Sequence, residues 1–420
     1  MAELYDIQEI EERVILIGIS EQDGDDTNDS LDELAELVKT AGAVSVGRVI
    51  QNRQSAHPGL YVGTGKVDEI KELVHELDAT GIVCDDELSP AQLRNLQEAL
   101  QVKVMDRTLV ILDIFAARAS TSEGKIQVEL AQLRYRMSRL SGFGRSMSRL
   151  GGGIGTRGPG EKKLEVDRRL IASRISQLRH ELEEVKRHRE VNRVARNRNH
   201  MPIAAIVGYT NAGKSTLLNT LTDAGILAED KLFATLDPTT RMLELPGSQK
   251  LLLTDTVGFI RKLPHHLIDA FKSTLEEAKY ADFIIHVVDA SNPQASKQMH
   301  IVYDTLRNLE VKDKKIITLF NKQDMVEAEE PLRDGRADAT LKISAKSGMG
   351  MDKLKDLLSD ILRENKKFVA CVIPYDQGSI LQQIRGIGEL IEEEYLPEGT
   401  RIEAYVPNEL YGRISQISDN

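Results

Sequence analysis

The chain has 420 residues, a length for which roughly two to four domains are expected. Its composition, with 41% hydrophobic and 29% charged residues, is typical of a globular protein, and no apolar run approaches the roughly 20 residues that a membrane-spanning helix needs. The net charge of −11 argues against nucleic acid as a partner, provided that the charge is spread evenly.

The first residues lack a basic region before an apolar core, and neither end of the chain shows a lipidation motif. We therefore expect no signal peptide, no stable membrane anchor, a cytoplasmic location and a monomer. Cys84 and Cys371 lie in apolar strand-like runs, so we expect both to be buried, reduced thiols.

Residues 1–106 alternate between strand-like and helix-like segments, which predicts an α/β subdomain with a largely parallel sheet. The first predicted helix, DSLDELAELVKTAGA, has Asp29 or Ser30 as its cap, and the third, SPAQLRNLQEAL, has Ser89. Between them, YVGTGK has part of a phosphate-loop pattern, but it lacks the full length and has Val67 after its lysine. We interpret it as a turn leading into a helix, with a contact to RNA or a nucleotide as the alternative.

Residues 107–200 contain two long helical patterns, one starting at Arg107 and read as a single unbroken helix, and one starting at Glu161. They are joined by the segment Gly142–Gly160, in which 8 of 19 residues are glycine. This arrangement predicts an antiparallel helical hairpin with a glycine loop at its tip.

The charge is not spread evenly along the chain. The segment Arg118–His200 has 20 Lys and Arg against 9 Asp and Glu, a net charge of +11, so the rest of the chain carries −22. A compact basic element within an acidic protein predicts a local contact with a polyanion.

Residues 201–365 show regularly spaced strands with helices between them, which predicts a doubly wound sheet. GYTNAGKS matches the full phosphate-loop pattern, follows the strand IAAIV and opens the helix STLLNTLT. Lys214 can reach the β- and γ-phosphates, and the Ser215 hydroxyl can ligate Mg²⁺. The predicted phosphate-binding residues are Gly208, Tyr209, Thr210, Asn211, Ala212, Gly213, Lys214 and Ser215.

NKQD follows the strand KKIITLF, which places it at the carboxyl end of a strand, beside a nucleotide crevice. Asp324 can accept hydrogen bonds from both N1–H and N2–H of guanine, whereas adenine has no proton on N1. The stem of Lys322 can pack on the base, and the segment SAK can supply a backbone N–H to the guanine O6. The predicted base-binding residues are Asn321, Lys322, Gln323, Asp324, Ser344, Ala345 and Lys346.

DTVG follows the strand KLLLT and consists of Asp255, Thr256, Val257 and Gly258. Asp255 would hold Mg²⁺ through a water molecule, and the Gly258 N–H would contact the γ-phosphate. A threonine of LFATLDPTTR should complete the Mg²⁺ site, and the spacing leaves Thr235, Thr239 and Thr240 as candidates.

Residues 366–420 predict a small α/β domain with the strand FVACVIP, the helix GSILQQIRGIGELIEEEY, the strand TRIEAYVP and a short tail. The sequence assigns no role to this domain.

The nucleotide motifs, in this order, resemble those of the Ras-like P-loop GTPases, in which Lys214, Gly258 and one of the three candidate threonines would serve hydrolysis. Phe259 follows DTVG, where many such enzymes have the glutamine that orients the attacking water. Phenylalanine cannot do this, so we expect slow intrinsic hydrolysis that a partner stimulates.

Five stretches are together similar to the HflX family of bacterial ribosome-associated GTPases: YVGTGKVDEI, DRTLVILDIFAARASTSEGKIQVELAQLRYR, GGGIGTRGPGEKKLEVDRR, FATLDPTTR and DTVGFIRKLPHHLIDAFKSTLEE. The resemblance implies four parts, namely an N-terminal α/β subdomain (1–106), a long antiparallel helical hairpin (107–200), a Ras-like P-loop GTPase domain (201–365) and a small C-terminal α/β domain (366–420). It favours Thr235 as the Mg²⁺ ligand. It also implies that the nucleotide contacts include Phe233, Ala234, Thr235, Leu236 and Asp237.

The same resemblance implies a GTP-hydrolysing factor that binds the large ribosomal subunit and splits stalled or stress-arrested ribosomes. A GTPase that assists assembly of the large subunit is the alternative. A GTPase that controls a protein partner at a membrane is disfavoured, because no basic amphipathic segment with a lipid anchor is present.

The glycine loop contains G-x-G-x-x-G at Gly153, but no strand precedes it, so a dinucleotide site is disfavoured. A solvated linker is a second interpretation. We prefer a contact with ribosomal RNA, because cationic side chains can bind phosphates and an aromatic ring can stack on a base, and because the resemblance places this loop near the peptidyl-transferase region. The predicted RNA-contacting residues are Phe143, Arg145, Arg149, Arg157, Lys162 and Lys163.

Overall fold

The computed structural model describes residues 11–21, 26–147, 159–197, 201–222, 232–233, 236, 238–262, 277–326, 332–364 and 366–418. The described residues form two compact units. The first consists of the chain up to Val185 together with Leu232, Phe233, Leu236, Arg261 and Lys262, and the second contains the remaining described residues.

A four-stranded parallel sheet forms the core of the first unit, with the strand order β2-β1-β3-β4. All residues of β1 except its two ends are buried, as expected for a central strand covered on both faces. The strands are β1 (Arg13–Ser20), β2 (Val44–Asn52), β3 (Gly81–Cys84) and β4 (Lys103–Asp106), and the helices between them are α1 (Thr27–Thr40), α2 (Thr64–Glu76) and α3 (Pro90–Leu100).

The helix starts agree with the sequence in α2 and α3 but not in α1. The turn predicted at YVGTGK is formed by residues 61–63, and the last three residues of this stretch are the first turn of α2; Ser89 caps α3 in a capping box with Gln92. The predicted cap of α1 at Asp29 or Ser30 is wrong, because α1 begins at Thr27. The Ser30 hydroxyl lies inside the helix and donates instead to the buried Asp85 carboxylate, at 2.7 Å.

A group of ion pairs lies at the carboxyl edge of this sheet, and the pair between Arg107 and Asp85 is the buried one among those described next. Arg107 and Asp85 have side chains only 2% exposed, and their nitrogen and oxygen atoms lie 2.6 Å apart. Asp85 also pairs with Lys262 at 2.5 Å, and Lys262 pairs with Asp86 at 2.7 Å. Arg261 pairs with Asp26 in the same unit.

Three helices follow the sheet, namely α4 (Arg107–Arg118), α5 (Ser122–Met147) and α6 (Pro159–Asn197). The predicted single helix from Arg107 is wrong, because Ala119 has an extended backbone and separates α4 from α5. The predicted loop Gly142–Gly160 is shorter than expected, since α5 continues to Met147 and α6 starts at Pro159.

The helices α5 and α6 pack side by side through Leu130, Ile175 and Leu178, and Arg174 binds Glu129 through two hydrogen bonds of 2.8 and 3.0 Å. If they ran parallel, the end of α5 and the start of α6 would lie about 50 Å apart, which is more than the connecting residues can span at about 3.5 Å each. The two helices therefore form an antiparallel hairpin.

The second unit contains a six-stranded sheet in the order β10-β9-β8-β5-β7-β6. Five strands are parallel, and β6, which the sequence did not predict, runs antiparallel to β7. The strands are β5 (Ile203–Gly208), β6 (Thr239–Leu245), β7 (Gln249–Asp255), β8 (Phe283–Asp289), β9 (Lys315–Asn321) and β10 (Ala339–Lys342), and the helices are α7 (Lys214–Thr222), α8 (Ala295–Asn308) and α9 (Met351–Arg363).

The end of the second unit is a three-stranded antiparallel sheet in the order β11-β13-β12, with two helices on one face. The predicted helix GSILQQIRGIGELIEEEY is wrong in its second half, which is a strand that pairs with β13. The predicted short tail is a helix. The elements are β11 (Lys366–Ile373), α10 (Gly378–Ile387), β12 (Glu389–Leu396), β13 (Gly399–Pro407) and α11 (Asn408–Ser418).

The two cysteines of the chain differ in their exposure. Cys84 is buried as predicted, whereas Cys371 is partly exposed. None of the described helices is long and apolar enough to cross a membrane.

Candidate nucleotide-binding site

The phosphate loop connects β5 to α7 at the carboxyl edge of the second sheet. Gly213 has a φ of +94°, and a Cβ atom there would lie 2.3 Å from the Asn321 side-chain nitrogen. Only glycine fits this position, because an L side chain would meet both an unfavourable backbone conformation and a neighbouring amide. The loop therefore brings its backbone N–H groups to the start of α7, where a helix favours anions.

Lys214 lies within this loop and is buried, with only 7% of its surface exposed. Its ammonium group donates to the Tyr209 carbonyl oxygen at 2.8 Å. Burial lowers the pKa of Lys214 to about 8, and the nearby Asp255 carboxylate opposes this shift. The charged lysine is thus poorly solvated, and a bound phosphate would compensate for the missing water.

Ser215 and Asp255 meet at the side of the loop. The Ser215 hydroxyl donates to the Asp255 Oδ2 atom at 2.7 Å. Asp255 is fully buried at the end of β7. Among the described residues, no group of three or more His, Cys, Asp or Glu could hold a metal ion.

The residues after Asp255 contact the phosphate loop directly. The Thr210 N–H donates to the Phe259 carbonyl at 2.8 Å, and the Phe259 N–H donates to the Gly208 carbonyl at 3.1 Å. A Cβ atom on Gly258 would lie 2.8 Å from the Thr210 Cα atom and 2.9 Å from the Lys214 ammonium nitrogen. Glycine is required here by close approach, and it places the Gly258 peptide beside the phosphate loop.

Phe259 is 2% exposed and packs in a hydrophobic cluster with Ala205, Val207 and Ile284. Its ring therefore belongs to the core of the second unit. A side chain at this position that reached for water would have to leave that core, so the departure from the glutamine of other GTPases has a structural basis.

Asn321 joins the phosphate loop to the predicted base loop. Its side-chain nitrogen donates to the Ala212 carbonyl at 2.8 Å, and its oxygen accepts from the Ala345 N–H at 2.9 Å. Asn321 is 2% exposed and is the last residue of β9. The sequence predicted contact with the nucleotide but not this bridge between two loops.

Asp324 and Lys322 are held by further polar contacts. The Ser344 hydroxyl donates to Asp324 Oδ1 at 2.5 Å, and this bond is the main cause that lowers the pKa of the exposed Asp324. Lys322 has a φ of +61° and pairs with Asp289 at 2.7 Å. Sequence reasoning missed Asp289, although its place at the end of the buried strand β8 could have identified it.

The remaining predicted residues are only partly described. Phe233 belongs to the first unit, where its ring makes an edge contact with Phe115 at a centroid distance of 4.7 Å, and Leu236 is buried. Thr239 and Thr240 begin β6, and Thr240 shares a 3.0 Å hydrogen bond with Thr254. Ala234, Thr235 and Asp237 lie outside the described residues.

For the predicted RNA contacts, the structure describes the backbone of four residues. Phe143 and Arg145 lie in the last turns of α5, and Lys162 and Lys163 lie in the first turns of α6. Arg149 and Arg157 lie outside the described residues.

Three protein families match successive parts of the chain. They are described as GTP-binding GTPase N-terminal, GTP-binding GTPase middle region and 50S ribosome-binding GTPase, and they match residues 28–116, 118–196 and 203–322. A GTPase HflX from Lacrimispora saccharolytica is 65% identical over 419 residues, which cover 100% of this chain and 99% of that protein. The chain belongs to the HflX family of GTPases.

A second relative, GTPase HflX of Escherichia coli, is 39% identical over 398 residues, which cover 94% of this chain and 93% of that protein. Among solved structures, the chain is similar to a GTP-binding protein from the archaeon Sulfolobus solfataricus in complex with GDP, with 24% identity and a TM-score of 0.45, covering 83% of this chain and 98% of that one. The HflX relatives and the family matches confirm the predicted HflX resemblance and the activity of a GTPase, and together with the sheets of the structure they confirm the α/β fold class with a P-loop GTPase domain.

The bridge made by Asn321 in this HflX-family chain can be tested by replacing it with alanine. Asn321→Ala removes both loop contacts and leaves buried backbone groups unpaired, so the affinity for GDP should fall by about tenfold to a hundredfold. Fluorescence titration with a labelled GDP measures this loss. Asn308→Ala is the control, since it makes the same replacement at an exposed position, the last residue of α8. Equal losses in both variants would contradict the bridging role.

The lowered pKa of Lys214 predicts a pH dependence of nucleotide binding. Below about pH 8 the ammonium group is charged and the affinity for GDP should be constant, whereas above about pH 8 the lysine must first take up a proton. The affinity should then decrease by up to about tenfold per pH unit. Calorimetric titration between pH 7 and 9 measures the profile. Lys214→Arg should bind more weakly at every pH but without this decrease, and a profile that is flat in the wild type would refute the assignment.

Proposed function

We propose that this HflX-family GTPase binds the large ribosomal subunit and splits stalled or stress-arrested ribosomes when it carries GTP. The observation that carries the proposal is the combination, in one chain, of a guanine-nucleotide site with a helical hairpin of net charge +11 in an otherwise acidic protein. The match of residues 203–322 to the 50S ribosome-binding GTPases supports the choice of particle.

The nucleotide would be bound at both loops joined by Asn321. The Asp324 carboxylate would accept hydrogen bonds from N1 and N2 of guanine, while the phosphate loop would bind the phosphates with its N–H groups and Lys214. The lowered pKa of Asp324 suits this role, since only the ionised carboxylate can accept both bonds.

Mg²⁺ fits the oxygen donors that the structure brings together. The hydroxyl of Ser215 would be a direct ligand, Asp255 would act through a water molecule, and Thr235 is the proposed third contributor. When bound, the ion would neutralise charge on the β- and γ-phosphate oxygens. The chain's own contribution is to hold Lys214 and the Gly258 N–H beside the phosphate loop, where they would stabilise negative charge.

GTP would act as a switch in this scheme. A γ-phosphate contact with Gly258 would order the segment that follows it, and that state would bind the large subunit through the tip of the hairpin. Binding would displace contacts between the subunits, and hydrolysis would release the factor. Phe259 is buried and occupies the position at which many GTPases have the glutamine that orients the attacking water. Hydrolysis would therefore be slow until the ribosome supplies a stimulating group.

The proposal of slow intrinsic hydrolysis can be tested at the buried Phe259. Phe259→Gln places an amide in an apolar cluster, so the variant should be less stable by about 2–4 kcal/mol and should not hydrolyse GTP faster. Thermal unfolding and single-turnover hydrolysis without ribosomes measure the two quantities. Fast hydrolysis by the isolated wild type, or a large acceleration in the variant, would remove the proposal of slow intrinsic turnover.

The hairpin tip is tested by sedimentation with large subunits and a non-hydrolysable GTP analogue. The triple variant Arg145→Ala, Arg149→Ala, Arg157→Ala should bind more weakly, and the salt dependence should fall by about one slope unit per lost phosphate contact.

A matched control removes the same charge elsewhere on the hairpin, at the exposed arginines Arg168, Arg169 and Arg179 of α6. Its binding should change much less, because these residues lie further along the helix from the tip. Sedimentation of intact ribosomes under the same conditions tests splitting, and sedimentation with precursor particles tests assembly. Unchanged binding of the tip variant would count against the RNA contact.

A further inference from the structure

We propose that the outward face of the C-terminal sheet is a docking surface for a lysine- or arginine-rich protein segment that also has apolar side chains. The outward face is defined here as Phe368, Ala370 and Val372 of β11, Arg401, Glu403 and Tyr405 of β13, and Glu392 and Glu394 of β12. The proposal rests on the proposed ribosome association, because the large subunit supplies the partner.

The other face of this sheet is covered. Ile402, Ala404 and Val406 of β13 are fully buried and pack with Ile384 of α10 and Ile414 of α11. Successive side chains of a strand point to opposite faces, so the residues between them form the outward face. Within the described residues neither α10 nor α11 covers that face, and at its Tyr405 end the Arg363 guanidinium of α9 lies 5.6 Å from the centre of the Tyr405 ring.

The β11 side of the outward face is apolar. Phe368 is 47% exposed, Ala370 is exposed, and Val372 is partly exposed, although a solvated sheet face normally alternates to polar residues at such positions. The Phe368 ring makes an edge contact with Tyr405 at a centroid distance of 5.4 Å. Three successive outward positions of one strand thus offer an apolar stripe.

The β12 side is acidic and contains an unfavourable pair. Glu392 and Glu403 are direct cross-strand neighbours, an arrangement of like charges that destabilises a sheet. Neither glutamate has an ion-pair or hydrogen-bond partner among the described residues, whereas Glu394 pairs with Arg401 at 3.8 Å. A cation placed between Glu392 and Glu403 would remove their repulsion.

The apolar stripe on β11 and the acidic stripe on the β12 side together indicate which chemistry the partner needs. An acidic face repels the phosphates of RNA, and the domain as a whole has 9 acidic residues against 5 basic ones over 366–420. A second copy of the chain would bring glutamate against glutamate. A protein segment with lysine or arginine on one side and apolar residues on the other complements both stripes, which also gives the C-terminal domain a role distinct from that of the basic hairpin.

Site-specific photo-crosslinking tests the proposal on the full chain. Val372 is replaced by p-benzoylphenylalanine, and the protein is irradiated with large ribosomal subunits and a non-hydrolysable GTP analogue. We expect an adduct with a ribosomal protein at a Lys- or Arg-rich peptide. The same replacement at Glu398, in the exposed turn between β12 and β13, is the control and should give little of this adduct.

Charge reversal provides the second measurement. Glu392→Lys creates a favourable pair with Glu403, so the melting temperature of the free chain should rise by about 1–3 °C, while binding to the subunit should weaken by about fivefold. Glu398→Lys changes the net charge equally and should change neither quantity.

The outcomes separate the two proposals. If the wild type sediments with the subunit but gives only adducts with RNA, or none, or if Glu392→Lys binds as tightly as the wild type, the docking surface is overturned and the proposed function stands. If the wild type does not sediment with the subunit at all, both are overturned.

Discussion

The side-chain amide of Asn321 is the contact on which the nucleotide site depends. An amide donates through nitrogen and accepts through oxygen at a fixed separation, so one buried residue sets the distance between the phosphate loop and the base loop. It does so without a buried charge, whose desolvation would be costly. The same side chain explains why Gly213 cannot carry a Cβ atom. The distance between the two loops is therefore fixed by strand β9 rather than by the nucleotide.

Another buried polar contact of the same unit lies at the turn between β6 and β7. Glu389 of β12 is buried and accepts two hydrogen bonds from the Arg363 Nε atom, at 2.7 and 2.9 Å. A Cβ atom on Gly247, in that turn, would lie 2.6 Å from the Glu389 Cγ atom. The C-terminal domain thus packs against the turn between β6 and β7, and strand β7 ends at Asp255. Because the Glu389 carboxylate is buried, separating it from the half-exposed Arg363 would leave a buried charge without this partner, which disfavours other arrangements of the domain.

The fold and the site were predictable from the sequence to different degrees. The phosphate loop has a pattern of glycine and lysine that local backbone chemistry demands, so its strand, turn and helix could be placed. The prediction of one helix across Gly386 and Gly388 was wrong, because the backbone N–H and C=O groups of residues 389–396 form hydrogen bonds with strand β13. No local sequence pattern reveals this pairing. Asp289 and the Asn321 bridge depend on neighbours distant in the chain. Burial of Phe259 likewise follows from packing with β5 and β8, not from its place after DTVG.

Arg261 and Lys262 form ion pairs with Asp26, Asp85 and Asp86 within the first unit. Asp85 also binds the buried Arg107 and accepts a hydrogen bond from the Ser30 hydroxyl. Without Lys262 this carboxylate would keep those two partners, so the first unit would not contain an unpaired buried charge.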